Sequence, residues 1–66
     1  MELILPDTNA WVAYFAGQEP IAAVVTQAIR EQKVIVSVIV AAEFLVKATP
    51  QQKRRFELII DTFGVE

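Results

Sequence analysis

Residues 3–9 read Leu-Ile-Leu-Pro-Asp-Thr-Asn, and they place a lone carboxylate where an apolar run gives way to polar capping residues. Three consecutive apolar residues are consistent with a short strand buried on both faces. Pro6 has no backbone N–H to donate, so we expect the strand to close there. Asp7 then stands at the junction between this strand and a following helix.

A second apolar run, residues 34–36, is followed by Ser37 and by a second acid, Glu43. Its continuous β-branched residues predict a strand inside a sheet. Two strands joined by a helical crossover form a right-handed unit, so we expect them to be parallel. Ligands of open parallel sheets bind beyond the carboxyl ends of the strands. The sequence therefore predicts that Asp7 and Glu43 lie near each other and form a metal site.

Helix signals fill the remainder of the chain. The first helix is expected to run through Ala16 and to end at Gly17, since glycine takes the left-handed conformation readily. Pro20 suits the first position of a second helix. Its apolar positions repeat at helical spacing and predict one buried face, made of Ile21, Val24, Val25, Ala28 and Ile29.

Two more helices are predicted in the second part of the chain. One opens at Ser37 or Val38 and runs to about Lys47. The next begins with Thr49 as the N-cap, Pro50 at the first position and Gln52 completing a capping box. Gly64 ends it, and residues 65–66 are expected to begin a third strand. The predicted fold class is α/β, a parallel sheet with flanking helices in β-α-α-β-α-α order, in one domain over residues 1–66.

Composition limits what the chain can do. Its 66 residues are 55% hydrophobic, and the mean hydropathy is +0.43. A domain of this size buries only about 60% of its unfolded surface. We therefore expect an exposed apolar face that is covered by a partner, by a second copy in a homo-oligomer such as a dimer, or by further sequence.

The absent residue types narrow the chemistry. The chain has no cysteine and no histidine, which excludes disulfides, thiolate metal sites and a histidine base. The net charge of −2 gives no electrostatic case for nucleic-acid binding. No basic leader and no apolar run of about 20 residues is present, so we expect a cytoplasmic location and no membrane partner.

The two acidic motifs carry a resemblance to a known family. Residues 5–9, Leu-Pro-Asp-Thr-Asn, and residues 37–44, Ser-Val-Ile-Val-Ala-Ala-Glu-Phe, resemble the first two signatures of PIN-domain nucleases, particularly the toxin nucleases of bacterial toxin–antitoxin pairs. The resemblance runs over the whole chain and reaches the first half of a typical member. It implies a metal-dependent ribonuclease that uses Mg²⁺ or Mn²⁺ to cut single-stranded RNA, with an antitoxin protein as a further partner.

Carried over by position, Asp7 and Glu43 match the acids that bind the metal and serve catalysis. Thr8 and Asn9 match the polar pair that supports them. The family's later acids have no counterpart, and Asp61 falls in the wrong segment to replace them. The resemblance therefore implies a site that is incomplete and a chain that is inactive in isolation.

Each of these residues also has a purely structural interpretation. Asp7, Thr8 and Asn9 are good helix caps, and Ser37 is most simply a cap as well. Lys47 follows Glu43 at a spacing that favours an exposed ion pair. The run Lys53, Arg54 and Arg55 is a weak candidate for RNA phosphates, because such runs are usually solvated. The alternative function is a non-catalytic assembly module that uses its exposed apolar face.

Overall fold

The computed structural model describes residues 3–66 and contains four helices. They are α1 (Thr8–Ala16), α2 (Ile21–Arg30), α3 (Val38–Lys47) and α4 (Pro50–Phe63). Met1 and Glu2 lie outside the described residues. The described part of the chain is therefore predominantly helical, with short extended segments at residues 3–6 and 33–37.

The prediction of an α/β fold with a parallel sheet is wrong. Among the described residues there is no strand, and the two extended segments meet only at an isolated parallel bridge between Ile4 and Val34. The Ile4 N–H donates to the Lys33 carbonyl at 2.7 Å, and the Ile4 carbonyl accepts from Ile35 at 2.8 Å. The segments do run parallel, but one bridge does not make a ladder.

The lengths of the two segments explain this failure. Pro6 follows Ile4 closely and cannot donate a backbone hydrogen bond, and α3 already begins at Val38. The prediction of a third strand at residues 65–66 is also wrong, because the backbone pairing there is too short. Glu66 donates to the Val36 carbonyl at 2.9 Å and accepts from the Val38 N–H at 2.7 Å, with no further pairing. The run at residues 34–36 is buried as expected, with Val34 5% and Val36 1% exposed, but the expected burial of residues 3–5 on both faces is wrong, because Leu3 and Leu5 are each 58% exposed.

The helix boundaries follow the local signals closely. Gly17 ends α1 in the left-handed conformation with φ of 70° and ψ of 26°, as predicted. Thr49 and Gln52 form the predicted capping box at the start of α4, and Pro50 is the first helical residue. Pro20 is one position off, because it is the N-cap of α2 rather than its first residue. Helix ends were predictable because they depend on neighbouring residues only.

Aromatic rings from three helices form the core. Trp11 and Phe56 are fully buried, and Phe44 is 1% exposed. The ring centroids of Phe56 lie 5.0 Å from Trp11 and 4.8 Å from Phe44. Phe15 stacks on Phe44 at 5.3 Å. These distances lie in the range of favourable aromatic pairs, so the cluster joins α1, α3 and α4.

The apolar face of α2 is only partly buried. Val25 is 2% exposed and Ala28 is 8% exposed, as the helical spacing predicted, but Ile21 is 44% and Val24 is 55% exposed. These two side chains lie beside Ile4, with which they line apolar surface. The molecule therefore presents an uncovered apolar strip along α2.

None of the helices in the described part of the chain has the length and apolar character that crossing a bilayer requires.

Candidate functional site

Asp7 is an exposed residue that caps α1. Its Oδ1 atom accepts a hydrogen bond from the Ala10 N–H at 2.8 Å, which satisfies one of the free donors at the start of the helix. Among the described residues the second carboxylate oxygen has no protein donor. The capping interpretation is thus confirmed, and it leaves one oxygen of Asp7 available to a ligand.

Glu43 is joined to the same helix end by Thr8. The Thr8 hydroxyl donates to Glu43 Oε1 at 3.0 Å, across 35 residues of sequence. The contact brings the middle of α3 to the first residue of α1. Glu43 accepts this hydrogen bond from Thr8 rather than one from Lys47. The ion pair between Glu43 and Lys47 that the sequence suggested is therefore not the contact that this structure contains. Glu43 therefore contacts the residue that follows Asp7 in the sequence.

A pocket of about 340 Å³ opens at this contact. It is lined by Thr8, Asn9, Glu43, Val46 and Lys47. Glu43 and Lys47 thus line the same pocket. Sequence reasoning treated Lys47 only as a structural partner of Glu43, although its position one turn after the acid was a usable signal. Asp7 precedes Thr8 at the rim and does not line the pocket.

The helix dipole favours negative charge at this place. Asp7 and the hydroxyl-bound Glu43 both lie at the N-terminus of α1, where unpaired backbone N–H groups carry partial positive charge. Neighbouring carboxylates repel each other in the absence of a cation. The start of α1 therefore favours both negative charges.

The carboxylates of Asp7 and Glu43 are donors of the type that a divalent metal ion prefers. Mg²⁺ prefers oxygen ligands, keeps several waters and is commonly held by one or two carboxylates together with substrate phosphates. Asp7 and Glu43 fit that pattern, each with an oxygen not used by a protein donor. Within residues 3–66 there is no group of three or more acidic, histidine or cysteine side chains, and Asp61 does not join the pair. The residues fit a weak, open site.

The basic run lies apart from this pocket. Lys53, Arg54 and Arg55 are exposed residues of α4, and none of them lines the pocket. The Arg55 guanidinium carbon lies 5.3 Å from the centroid of the Phe15 ring, a cation–π contact. Arg55 therefore also helps to cover the aromatic core, whereas Lys53 and Arg54 extend into solvent.

Ser37 has the structural role that its position suggested. Its Oγ atom accepts a hydrogen bond from the Val40 N–H at 3.4 Å and caps α3. No general base lies within the described contacts of this hydroxyl. Nucleophilic catalysis by Ser37 has no support in this geometry.

Comparison with known proteins identifies the family. The family model described as PIN domain matches residues 4–63, which is nearly the whole chain. None of the curated proteins and none of the solved structures that were compared matches it. The chain belongs to the PIN-domain family. PIN domains are nucleases that generally use divalent metal ions and bind RNA.

Proposed function

We propose that the chain supplies part of the active site of a divalent-metal-dependent endoribonuclease of the toxin type. The observation that carries this proposal is the Thr8–Glu43 hydrogen bond, which brings Glu43 to the helix end capped by Asp7. Membership of the PIN-domain family supports the nuclease class. Both observations support a site shared by the two signature acids.

In this function Asp7 and Glu43 would hold Mg²⁺ or Mn²⁺ through their free carboxylate oxygens. A bound ion of this kind activates a water molecule and stabilises charge on the reacting phosphate. Thr8 fixes the orientation of the Glu43 carboxylate. Asn9 and Lys47 line the adjoining pocket, where an amide and an ammonium group suit a phosphate oxygen.

Single-stranded RNA is the proposed substrate. Lys53 and Arg54 offer exposed positive charge outside the pocket, which suits backbone phosphates without sequence preference. Arg55 contributes less, because its guanidinium already stacks on Phe15. The net charge of −2 makes these local charges necessary for any RNA contact.

The isolated chain is expected to bind a metal ion weakly and to cleave RNA poorly or not at all. Two carboxylates leave most of the coordination sphere to water, and the described residues contain no third acid near them. Full activity then needs additional acidic ligands. An antitoxin protein is the proposed regulatory partner of such a toxin.

The direct test is an Mn²⁺ titration by calorimetry. We expect the wild-type chain to bind Mn²⁺ and Asp7→Asn to lose at least about tenfold in affinity, since one charged ligand becomes neutral. Asparagine is also a good N-cap, so this variant keeps the helix start. Asp61→Asn is the matched control, because it removes the same charge from an exposed position on α4. Equal affinity for Asp7→Asn and Asp61→Asn would contradict the site.

The role of Thr8 is tested by a second pair of variants. Thr8→Val removes the hydroxyl that orients Glu43 and should weaken Mn²⁺ binding several-fold, whereas Thr8→Ser keeps the hydroxyl and should bind like the parent. If both variants bind like the parent, Thr8 does not position Glu43 for the metal.

The alternative function, an assembly module, has its own support. Ile21 and Val24 are large side chains on α2 that remain about half exposed, and Leu3 and Leu5 are each 58% exposed. Contiguous apolar surface of this kind marks interaction sites. A module of this type would associate without a metal ion, which separates it experimentally from the nuclease.

A further inference from the structure

Lys47 is the base that α3 contributes to the pocket beside Glu43. It follows Glu43 by four residues, so the two side chains lie on the same face of the helix, and both line the pocket. Both residues are exposed, and Glu43 accepts its hydrogen bond from Thr8. The Lys47 ammonium group is therefore accessible to a ligand that enters the pocket.

The other basic side chains of the chain lie elsewhere. The sequence contains six lysine and arginine residues. Arg30 and Lys33 line two separate pockets along α2, and residues 53–55 are exposed on α4 and do not line the pocket beside Glu43. Within residues 3–66, Lys47 thus supplies the positive charge of this pocket.

A count of charges shows what Lys47 adds to a metal-bound site. Asp7 and Glu43 together carry two negative charges, which balance the two positive charges of Mg²⁺ or Mn²⁺. A phosphodiester group carries one further negative charge, and the balanced acids and metal ion have nothing left to offset it. Lys47 supplies that charge. The two acids, the ion, the ammonium group and one phosphodiester are then neutral together.

We propose that Lys47 is a substrate-binding residue that holds a phosphodiester group of single-stranded RNA beside the metal ion. This inference rests on the proposed function, because it assigns a residue to the substrate of the same site. A lysine ammonium group is a compact charge that binds phosphate oxygens. It also repels a nearby divalent cation, so Lys47 favours the phosphate at the expense of affinity for the metal ion.

Two structural roles of Lys47 lead to different expectations. A cation in the last turn of α3 suits the helix dipole, and that role changes stability without changing the affinity for either ligand. An ion pair with Glu43 would compete with the metal ion, and its removal would strengthen the binding of both the metal ion and metal-dependent RNA. Only a phosphate contact makes Lys47 weaken metal binding and strengthen RNA binding.

Mn²⁺ titration of Lys47→Gln tests the repulsion. Glutamine is a good helix former, so the variant removes the charge and keeps α3. At low ionic strength we expect Lys47→Gln to bind Mn²⁺ about threefold more tightly than the parent chain, because nearby like charges repel even in water. Lys47→Arg keeps the charge and should bind Mn²⁺ within about twofold of the parent.

Lys53→Gln is the matched control for the titration. It removes the same charge from an exposed position on α4 that does not line the pocket. Its affinity for Mn²⁺ should equal that of the parent chain. Circular dichroism checks that all three variants retain the helices.

Fluorescence anisotropy with a labelled oligouridylate tests the phosphate contact. At saturating Mn²⁺, Lys47→Gln should bind this single-stranded RNA about tenfold more weakly. The slope of log affinity against log salt should fall in magnitude by about 0.7, the value for one phosphate contact on a single strand. In EDTA the two carboxylates have no metal ion to balance them, so the effect of Lys47→Gln should shrink to about twofold. Lys53→Gln should weaken RNA binding equally with Mn²⁺ and with EDTA.

The outcomes separate this inference from the function on which it rests. A parent chain that does not bind Mn²⁺ contradicts the metal site itself, and with it the role of Lys47. If the parent binds Mn²⁺ and Asp7→Asn does not, while Lys47→Gln binds Mn²⁺ and RNA like the parent, the metal site stands and the role of Lys47 is wrong. Tighter binding of both Mn²⁺ and RNA by Lys47→Gln would assign Lys47 to an ion pair with Glu43 and would also overturn the proposal.

Discussion

The aromatic core and the pocket lined by Thr8, Asn9, Glu43, Val46 and Lys47, which we call the carboxylate pocket, both use α1 and α3, yet they differ in almost every physical respect. In the core, Trp11 and Phe56 are fully buried and their ring centroids lie 5.0 Å apart. At the pocket, Glu43 is exposed and is held by a single hydrogen bond from Thr8. Burial of apolar surface stabilises the fold, whereas an exposed hydrogen bond between side chains contributes little net stability.

This difference separates stability from function within a small domain. The positions of α1 and α3 are fixed by Phe15, which stacks on Phe44. The same helices then hold Thr8 and Glu43 at hydrogen-bond distance. Substitutions in the core should therefore disrupt the pocket, while substitutions in the pocket should leave the core intact. Three predictions test that asymmetry.

Phe56→Ala should have the largest effect. Truncating a buried phenylalanine costs about 3–5 kcal/mol of unfolding free energy, comparable to the whole stability expected for a chain of this size. The variant should lose most of its helical signal in circular dichroism at 25 °C. Leu58→Ala, on the same helix but 64% exposed, should change stability by no more than about 0.5 kcal/mol. Similar urea midpoints for the two variants would show that the aromatic cluster does not dominate stability.

Asp7→Ala should have an intermediate effect and should separate the two roles of Asp7. Loss of the cap on α1 costs about 1 kcal/mol of unfolding free energy, measured by urea denaturation. Asp7→Asn should cost only a few tenths of that, since the amide oxygen can still accept from Ala10. Both variants should lose Mn²⁺ binding equally. An Asp7→Asn variant as unstable as Asp7→Ala would mean that the charge, not the cap, stabilises the helix start.

Arg55→Ala should have the smallest effect. Its cation–π contact with Phe15 predicts a loss of about 0.5 kcal/mol of unfolding free energy. Arg54→Ala is the control, because it removes the same charge from the neighbouring exposed position and should leave the urea midpoint unchanged. Equal midpoints for the two variants would show that the guanidinium does not support the core.

The parts of the fold that were predictable depend on short stretches of sequence. The glycine at position 17 and the Thr49–Gln52 capping box fixed helix ends because their hydrogen bonds lie within a few residues. The sheet was not predictable in this way. Residues 34–36 have every local property of a strand, but pairing depends on a partner segment, and Pro6 leaves that partner too short.

The candidate site shows the same division. The sequence singled out Asp7, Thr8, Asn9 and Glu43, and the structure brings the last three to one pocket. The sequence did not indicate that the Thr8 hydroxyl would donate a hydrogen bond to Glu43 across 35 residues. Nor did it indicate that Lys47 would line the pocket instead of pairing with Glu43. Long side chains on a helix have several partners within reach, and only the packing of neighbouring helices selects among them.

By itself, the sequence of this protein determined where its helices begin and end and which acids mark it as a PIN domain. Those properties follow from backbone capping, helical periodicity and residue chemistry, all of which act locally. Only the tertiary structure decided that the extended segments meet at one bridge and that α1 and α3 share a carboxylate pocket. These outcomes depend on contacts between distant residues, and such contacts form only when the whole chain has packed.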